Sequence, residues 1–412
     1  MRLGKTLCAI RSLKKTLERV LVVCPKSVID VWEEQLKEDG ILDFWGFSSS
    51  KRKEVSDIES DWLVCNYEAV TKLPKEFLEG VDTVIADESA LLKNPKAKIT
   101  KFFLNNFKEC KKVLLSGNPA PNSELEYVPQ MIFLFGECMG ARNYWEFRGR
   151  YCFSDFAGHQ FWLKPGVKEK FKAWLHERCF FLTRKQAGVE NKKIYEKRYV
   201  EMPAKLRKKY EEMETLFLTS TPSGKEIETK SALAQLNFLS QMAGGHLSKE
   251  KFSDFKIKEL IYLLNGELKG ERVVIWTSFI YEVENVFKEL KIRGFKVRKI
   301  HGDVNIDDRK KYKKEFQDGK LDVIVVQIDT WKTGIDLSKA DTAIYFSNGN
   351  SADNRIQSEH RIEHNTKKNT LLYLDLITKN TVDEDKYKSL KRRKKQSQYF
   401  LESVVENMRR RQ

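Results

Sequence analysis

The 412-residue chain holds only 9 prolines and 21 glycines, which excludes collagen-like and low-complexity readings. Its seven cysteines (Cys8, Cys24, Cys65, Cys110, Cys138, Cys152 and Cys179) include no C-x-x-C pair. An odd count without paired spacing argues against a disulfide framework or a zinc site, and for small core residues in a reducing compartment with no disulfide partner. No apolar run approaches the ~18 residues that a membrane span needs, so no membrane is expected. The apolar stretch near the N-terminus, Leu7 to Ile10, is far too short for a signal peptide. Negative charge is also short: 75 Lys and Arg face 59 Asp and Glu, a formal +16. Such an excess points to a polyanion, because each cation set on a phosphate releases counterions.

What is present is enough apolar material, 41% of the residues, for two packed cores. Short β-branched runs alternate with helical stretches in two regions. In residues 1–135 strands are predicted over 21–24, 62–65, 81–86 and 113–115, and a helix over 28–36. In residues 256–380 strands are predicted over 273–276, 297–300, 323–328, 343–346 and 371–377. A helix there carries Val283, Val286, Phe287 and Leu290 on one face. Strands separated by helices imply parallel sheets, hence an α/β fold of two lobes. Residues 136–255 read as a connecting insertion. Its first part is dense in aromatics and arginines (Tyr144, Trp145, Phe147, Arg148, Arg150). Its second is helical over 203–243, with Leu206, Tyr210, Met213 and Phe217 on one stripe. Residues 381–412, with Lys391-Arg392-Arg393-Lys394-Lys395, read as a basic C-terminal helix.

Gly4-Lys5-Thr6 opens an apolar helical run. In that setting backbone N–H groups cradle phosphates, Lys5 neutralises the outer ones and Thr6 ligates Mg²⁺. Asp87 and Glu88 follow an apolar strand and project from its C-terminal end. There Asp87 would hold Mg²⁺, and Glu88 would orient and deprotonate an attacking water.

These and further short motifs occur in a familiar order. The sequence resembles helicase superfamily 2, and within it the compact Swi/Snf-like ATPases of phages and bacteria. Arg2-Leu3-Gly4-Lys5-Thr6 is similar to their first motif. Lys26-Ser27 with Trp32 resembles the next, which touches the nucleic-acid backbone, and Asn66-Tyr67-Glu68 resembles a further one. Asp87-Glu88-Ser89-Ala90 with Leu92-Lys93-Asn94 resembles the D-E-x-H box and its trailing L-K-N. Ser116-Gly117-Asn118-Pro119 with Asn122 resembles the segment that couples hydrolysis to movement. In the second lobe Thr277, His301-Gly302-Asp303, Thr333-Gly334-Ile335-Asp336 and Gln357-x-x-x-Arg361 continue the series.

The resemblance implies two RecA-like lobes with a helical insertion between them, and ATP and Mg²⁺ bound between the lobes. It implies a monomer that hydrolyses ATP to move along nucleic acid, double-stranded DNA, in the cytoplasm of a prokaryotic cell or phage-infected host. Glu88, Asp87, Arg361, Gln357 and His364 would serve the chemistry, and Arg2, Gly4, Lys5, Thr6, Gly334 and Asp336 the nucleotide. Lys26, Ser27, Ser116, Asn118, Asn122, Thr277, Thr333 and Arg184 would serve nucleic-acid contact and coupling. Three departures favour a second reading, a nucleic-acid-binding adaptor with impaired turnover. The sequence opens inside the first motif, which suggests a start further upstream. His364 stands where the family has a second arginine, and Asn118 and Ala90 replace the usual Thr and His.

Overall fold

The computed structural model describes residues 3–14, 18–48, 60–156, 158, 160–333 and 336–392, the side chains of 306 and 331–333 excepted. The chain divides into two compact units on either side of the Val189–Glu190 bond. Each is built on one parallel sheet.

In the first unit five strands, β1 (Val20–Cys24), β2 (Phe44–Phe47), β3 (Trp62–Asn66), β4 (Thr83–Asp87) and β5 (Lys111–Leu115), lie in the order β2-β3-β1-β4-β5. Every pairing is parallel. The two-residue period of β1 feeds two cores. Leu21 and Val23 enter a cluster with Phe77, Phe103 and Phe133. Val20, Val22 and Cys24 enter another on the opposite face, with Ile10, Trp32 and Leu36. Ile29, Trp32 and Leu36 are the buried stripe of the helix Ile29–Glu38. The β4 strand starts two residues later than the sequence predicts, because the Val81 N–H closes a turn onto the Leu78 carbonyl at 3.2 Å and the Asp82 carboxylate accepts the Arg19 N–H at 2.8 Å. β2 was not foreseen; its short, half-exposed pattern carries no burial signal.

The second unit holds six parallel strands: β6 (Lys193–Val200), β7 (Val273–Thr277), β8 (Val297–Ile300), β9 (Val323–Gln327), β10 (Thr342–Tyr345) and β11 (Leu371–Thr378). Their order is β8-β9-β7-β10-β11-β6. Again alternate residues part: Val273 and Ile275 face one cluster, Val274 and Trp276 the other.

The region 136–255, set apart in the sequence reading, spans the division between the units. Residues 136–189 belong to the first unit, where Phe147, Phe171 and Leu175 pack with Tyr127 and Met131. The remainder belongs to the second and contributes β6 to its sheet. The region expected to be helical over 203–243 holds two helices, Ala204–Leu216 and Ala232–Ala243, parted by a hairpin of Leu218–Ser220 with Glu226–Glu228. Phe217 does not continue the stripe of Leu206, Tyr210 and Met213. It takes a left-handed conformation, φ 57°, that ends the first helix. The local signal for the break is Thr221-Pro222-Ser223-Gly224, a turn sequence with Gly224 at φ 89°. The helix over 382–392 reaches the last described residue, and the rest of the predicted C-terminal helix lies outside the described residues.

Two buried titratable groups make opposite contributions to the second unit. His246, 3% exposed, stacks on Tyr281 at 4.7 Å, and burial, with Lys256 adding to it, pushes its pKa from 6.5 down to about 3. Glu282 accepts the Ser278 and Phe279 N–H groups and the Ser347 hydroxyl, and burial pushes its carboxyl from 4.5 up to about 7. Between pH 3 and 6.5 the unfolded chain holds more protons at His246, so its contribution to stability rises with pH. Between 4.5 and 7 the folded chain holds more at Glu282, so its contribution falls. The two offset each other between pH 4.5 and 6.5. His246→Phe is therefore expected to lose the acid-side decline, worth at most about 5 kcal/mol by pH 3, and to expose a profile that falls as pH rises from 4.5 to 7. Denaturant unfolding at a series of pH values measures this. Superimposable parent and variant profiles would show that the imidazole is not held neutral.

Candidate functional site

Parallel strands direct their C-terminal ends to one edge of a sheet, where α/β proteins place ligands. In the first unit β1 leads to Lys26, exposed, and Ser27, half-buried, in a short turn behind Pro25. β4 leads to Asp87 and Glu88. β5 leads to Ser116, Asn118 and Asn122, all at least partly exposed.

Asp87 is 5% exposed, and its carboxylate is held from several sides. The indole N–H of Trp32 donates to Oδ2 at 3.1 Å and the Glu88 N–H to Oδ1 at 2.9 Å. The Lys5 ammonium lies 3.8 Å from Oδ1, and the Tyr67 hydroxyl donates to the Asp87 carbonyl at 2.8 Å. Burial raises the Asp87 pKa; Lys5 opposes that rise and Glu88 adds to it, and the net direction is upward. The sequence reading grouped Trp32 with a segment that touches nucleic acid. The structure instead buries the ring completely and aims its donor at Asp87, as a buried indole requires an acceptor.

Glu88 has another character. It is the residue after the strand, in a left-handed conformation with φ 53° and ψ 52°, which costs a non-glycine residue about 1–2 kcal/mol. That twist turns its carboxylate out of the sheet and toward Lys5, 3.4 Å from Nζ, with the side chain 22% exposed. One carboxylate is thus locked by donors and its neighbour is open on one side. A fixed anion for a cation and an accessible acceptor for a proton have those forms.

Facing them is the start of the helix Lys5–Leu13. Gly4 caps it at φ 78°, with nothing among the described residues within 4 Å of where a Cβ would sit. No side chain among the described residues caps this end and no acid lies in its first turn. The end of the helix dipole, with N–H groups that no side chain among the described residues caps, fits a phosphate chain, with Lys5 at its side. Thr6, half-buried in the first turn, and Asp87 are the residues that would hold a Mg²⁺ carried in with it. Arg2 lies outside the described residues.

The expected residues of the second unit fare unevenly. Gln357 is buried in the helix Ala352–Glu359. Arg361, half-buried just beyond it, is fixed through its carbonyl, which accepts the Leu337 N–H at 3.0 Å. His364 turns its Nδ1 onto the Thr366 hydroxyl, at 2.8 Å. Asp336 uses its carboxylate on the Ser338 N–H at 2.9 Å, closing a turn. Thr277 is fully buried, and its hydroxyl donates to the Phe279 carbonyl at 3.3 Å. Gly334 and the side chain of Thr333 lie outside the described residues. Arg184, in the first unit, donates to the Val189 carbonyl at 2.7 Å and closes the turn that precedes the division.

A carboxylate pair set against a lysine at a glycine-led helix start is the arrangement of a nucleotide-handling α/β protein. Residues 1–245 match the SNF2-related domain and residues 255–365 the helicase conserved C-terminal domain, and the chain belongs to the SNF2-related family of helicase superfamily 2. It is similar to SWI/SNF-related matrix-associated actin-dependent regulator of chromatin subfamily A-like protein 1 of Xenopus tropicalis. The two are 24% identical over 409 residues, 93% of this chain and 40% of the relative. It is 24% identical to chromodomain-helicase-DNA-binding protein 1-like of Mus musculus, over 94% of this chain and 45% of that protein. The chain thus spans less than half the length of these curated relatives. A Sulfolobus solfataricus SWI2/SNF2 ATPase core, solved in complex with dsDNA, is 23% identical and aligns over 93% of this chain and 83% of its own, at a TM-score of 0.42.

Proposed function

We propose that the chain is an ATPase stimulated by DNA, which uses hydrolysis to move along double-stranded DNA. The observation that carries this reading is the constellation of Lys5, Asp87 and Glu88: a phosphate-ready cation, a locked anion and an accessible proton acceptor. In it Glu88 accepts the proton of a water as the water oxygen bonds to the terminal phosphorus of ATP, and ADP leaves. Mg²⁺ supplies charge neutralisation on the phosphates. Lys26, Ser27 and the 116–122 loop, at the same sheet edge, meet the backbone of the DNA, where contacts position without reading sequence. Arg361, with Gln357 before it, is assigned to the outer phosphate on the resemblance of its motif. The formal +16 suits a backbone-binding protein.

The test is phosphate release from ATP by the 412-residue chain with and without duplex DNA, for the parent and for Arg361→Lys. Stimulation by DNA is expected, with the variant slower by about 10³-fold or more, because a lysine cannot reproduce the planar fork of an arginine at a transferring phosphoryl group. Full stimulated turnover in Arg361→Lys removes that residue from the reading. One observation favours the adaptor reading: the His364 ring is already engaged by Thr366. Retained DNA binding with no phosphate release would establish it.

A further inference from the structure

The helix Tyr127–Phe135 has the sequence YVPQMIFLF, apolar except at Gln130. That amide is 1% exposed, in a position where a leucine would pack equally well and without polar atoms to satisfy. Its nitrogen donates to the carbonyls of Pro119 and Glu126, each at 2.8 Å. With both amide hydrogens directed at carbonyls the group cannot be turned round, so Oε1 is the acceptor and the Ser89 hydroxyl, 2.9 Å away, is the donor. Ser89 is itself 2% exposed and directly follows Glu88. Pro119 lies in the loop of Ser116, Asn118 and Asn122. One buried amide therefore ties the backbone on the far side of Glu88 to that loop.

A second strap runs beside the first from the same turn of helix. Glu126 accepts the Asn122 N–H at 3.0 Å and its side-chain amide at 2.8 Å, and lies 3.6 Å from the Lys93 ammonium. Lys93 belongs to the Leu92-Lys93-Asn94 segment behind the carboxylates. Both loops are thus held on Glu126 and Gln130, and Glu88 sits in a strained conformation at the end of the first strap, where a small shift of Ser89 re-aims it.

We propose that Gln130, acting through Ser89 and Pro119, is the positioning residue that couples nucleic acid at the 116–122 loop to the carboxylate of Glu88. It does so in the chain that has Ala90 and Asn118 where the family carries His and Thr. The inference rests on the proposed function for the identity of the two ligands.

The test is linkage, which does not need turnover. Affinity for a non-hydrolysable ATP analogue is measured with and without duplex DNA, in the parent, Ser89→Ala, Gln130→Leu and the double variant. The parent is expected to show a coupling factor of about 5 to 150. In each variant the factor falls to near one, while the affinity for either ligand alone stays within about threefold of the parent. The double variant, which replaces both partners by apolar groups, folds at least as well as the singles and loses no more coupling than either of them. A coupling factor retained in Ser89→Ala or Gln130→Leu overturns the proposal, as does a parent with none. Coupling in a parent that releases no phosphate, and its loss in the variants, would leave the proposal standing and the motor reading refuted.

Discussion

In Glu88→Gln, DNA-stimulated ATP turnover is expected to fall by about 10²–10⁴-fold while nucleotide affinity stays within a few-fold of the parent. The substitution keeps the size and the hydrogen-bonding reach of the side chain, and the backbone requirement at φ 53° is the same for both residues. What is lost is the capacity to take a proton. Losing that charge also relieves Asp87, because Glu88 is one of the groups that raise its pKa, so the locked carboxylate becomes the stronger acid. Lys5→Ala is expected to abolish turnover by another route. It removes the ammonium from beside the helix start, and nucleotide affinity falls with the rate. It also leaves buried Asp87 without the cation that opposes its rise in pKa. Single-turnover phosphate release together with nucleotide titration separates the two variants. Hydrolysis at the parent rate in Glu88→Gln would remove it as the proton acceptor.

The largest stability effect is expected at Asp375, in β11. Its side chain is fully buried and grips Arg355 with both oxygens, at 2.5 and 2.9 Å, while Asn348 donates to Oδ1 at 2.8 Å. The guanidinium lies 3.3 Å over the Tyr345 ring and its Nε donates to Glu359 at 2.9 Å. Asp375→Ala strips one anion from this group and leaves a permanent cation in the core with Glu359, the Asn348 amide oxygen at 2.7 Å and the Tyr345 ring as its partners among the described residues. The loss is expected to be about 3–5 kcal/mol by denaturant unfolding, and Asp375→Asn, which keeps an acceptor oxygen, should lose less. The helix that begins beside this network carries Gln357 and leads to Arg361. A loss below about 1 kcal/mol would mean that the cluster relaxes freely and does not fix that helix.

The parallel sheets were legible because buried strands such as VLVVC and VVIWT are continuous apolar runs bounded by turn signals. The meeting of Lys5 with Asp87 and Glu88 was legible because a glycine-led helix start and the end of a buried strand both leave local marks in the sequence. Legibility failed where a side chain's role depends on distant neighbours. Trp32 belongs to an apolar stripe by its spacing, and nothing local reveals that its N–H meets Asp87. Gln130 does carry a local signal, a lone amide in an apolar helix. The strand that follows the division between the units leaves little mark, since β6 is exposed, rich in charge and lacks the apolar run of its neighbours. Ser89 and Asp375 owe their partners, Gln130 and Arg355, to tertiary packing, which no local residue pattern discloses.

That order has a consequence for the birth of the protein. β6 is the first strand of its unit to leave the ribosome, yet among the described residues its one partner in the sheet is β11, the last, in a register eight residues long. Until residue 378 has emerged, Ile194, Tyr195 and Tyr199 have no strand beside them, and the sheet cannot be sealed from its early end. Such closure across a whole unit is slow, and an unpaired strand edge invites the wrong neighbour. Nascent chains arrested before β11 should therefore be the form of this protein most in need of a chaperone.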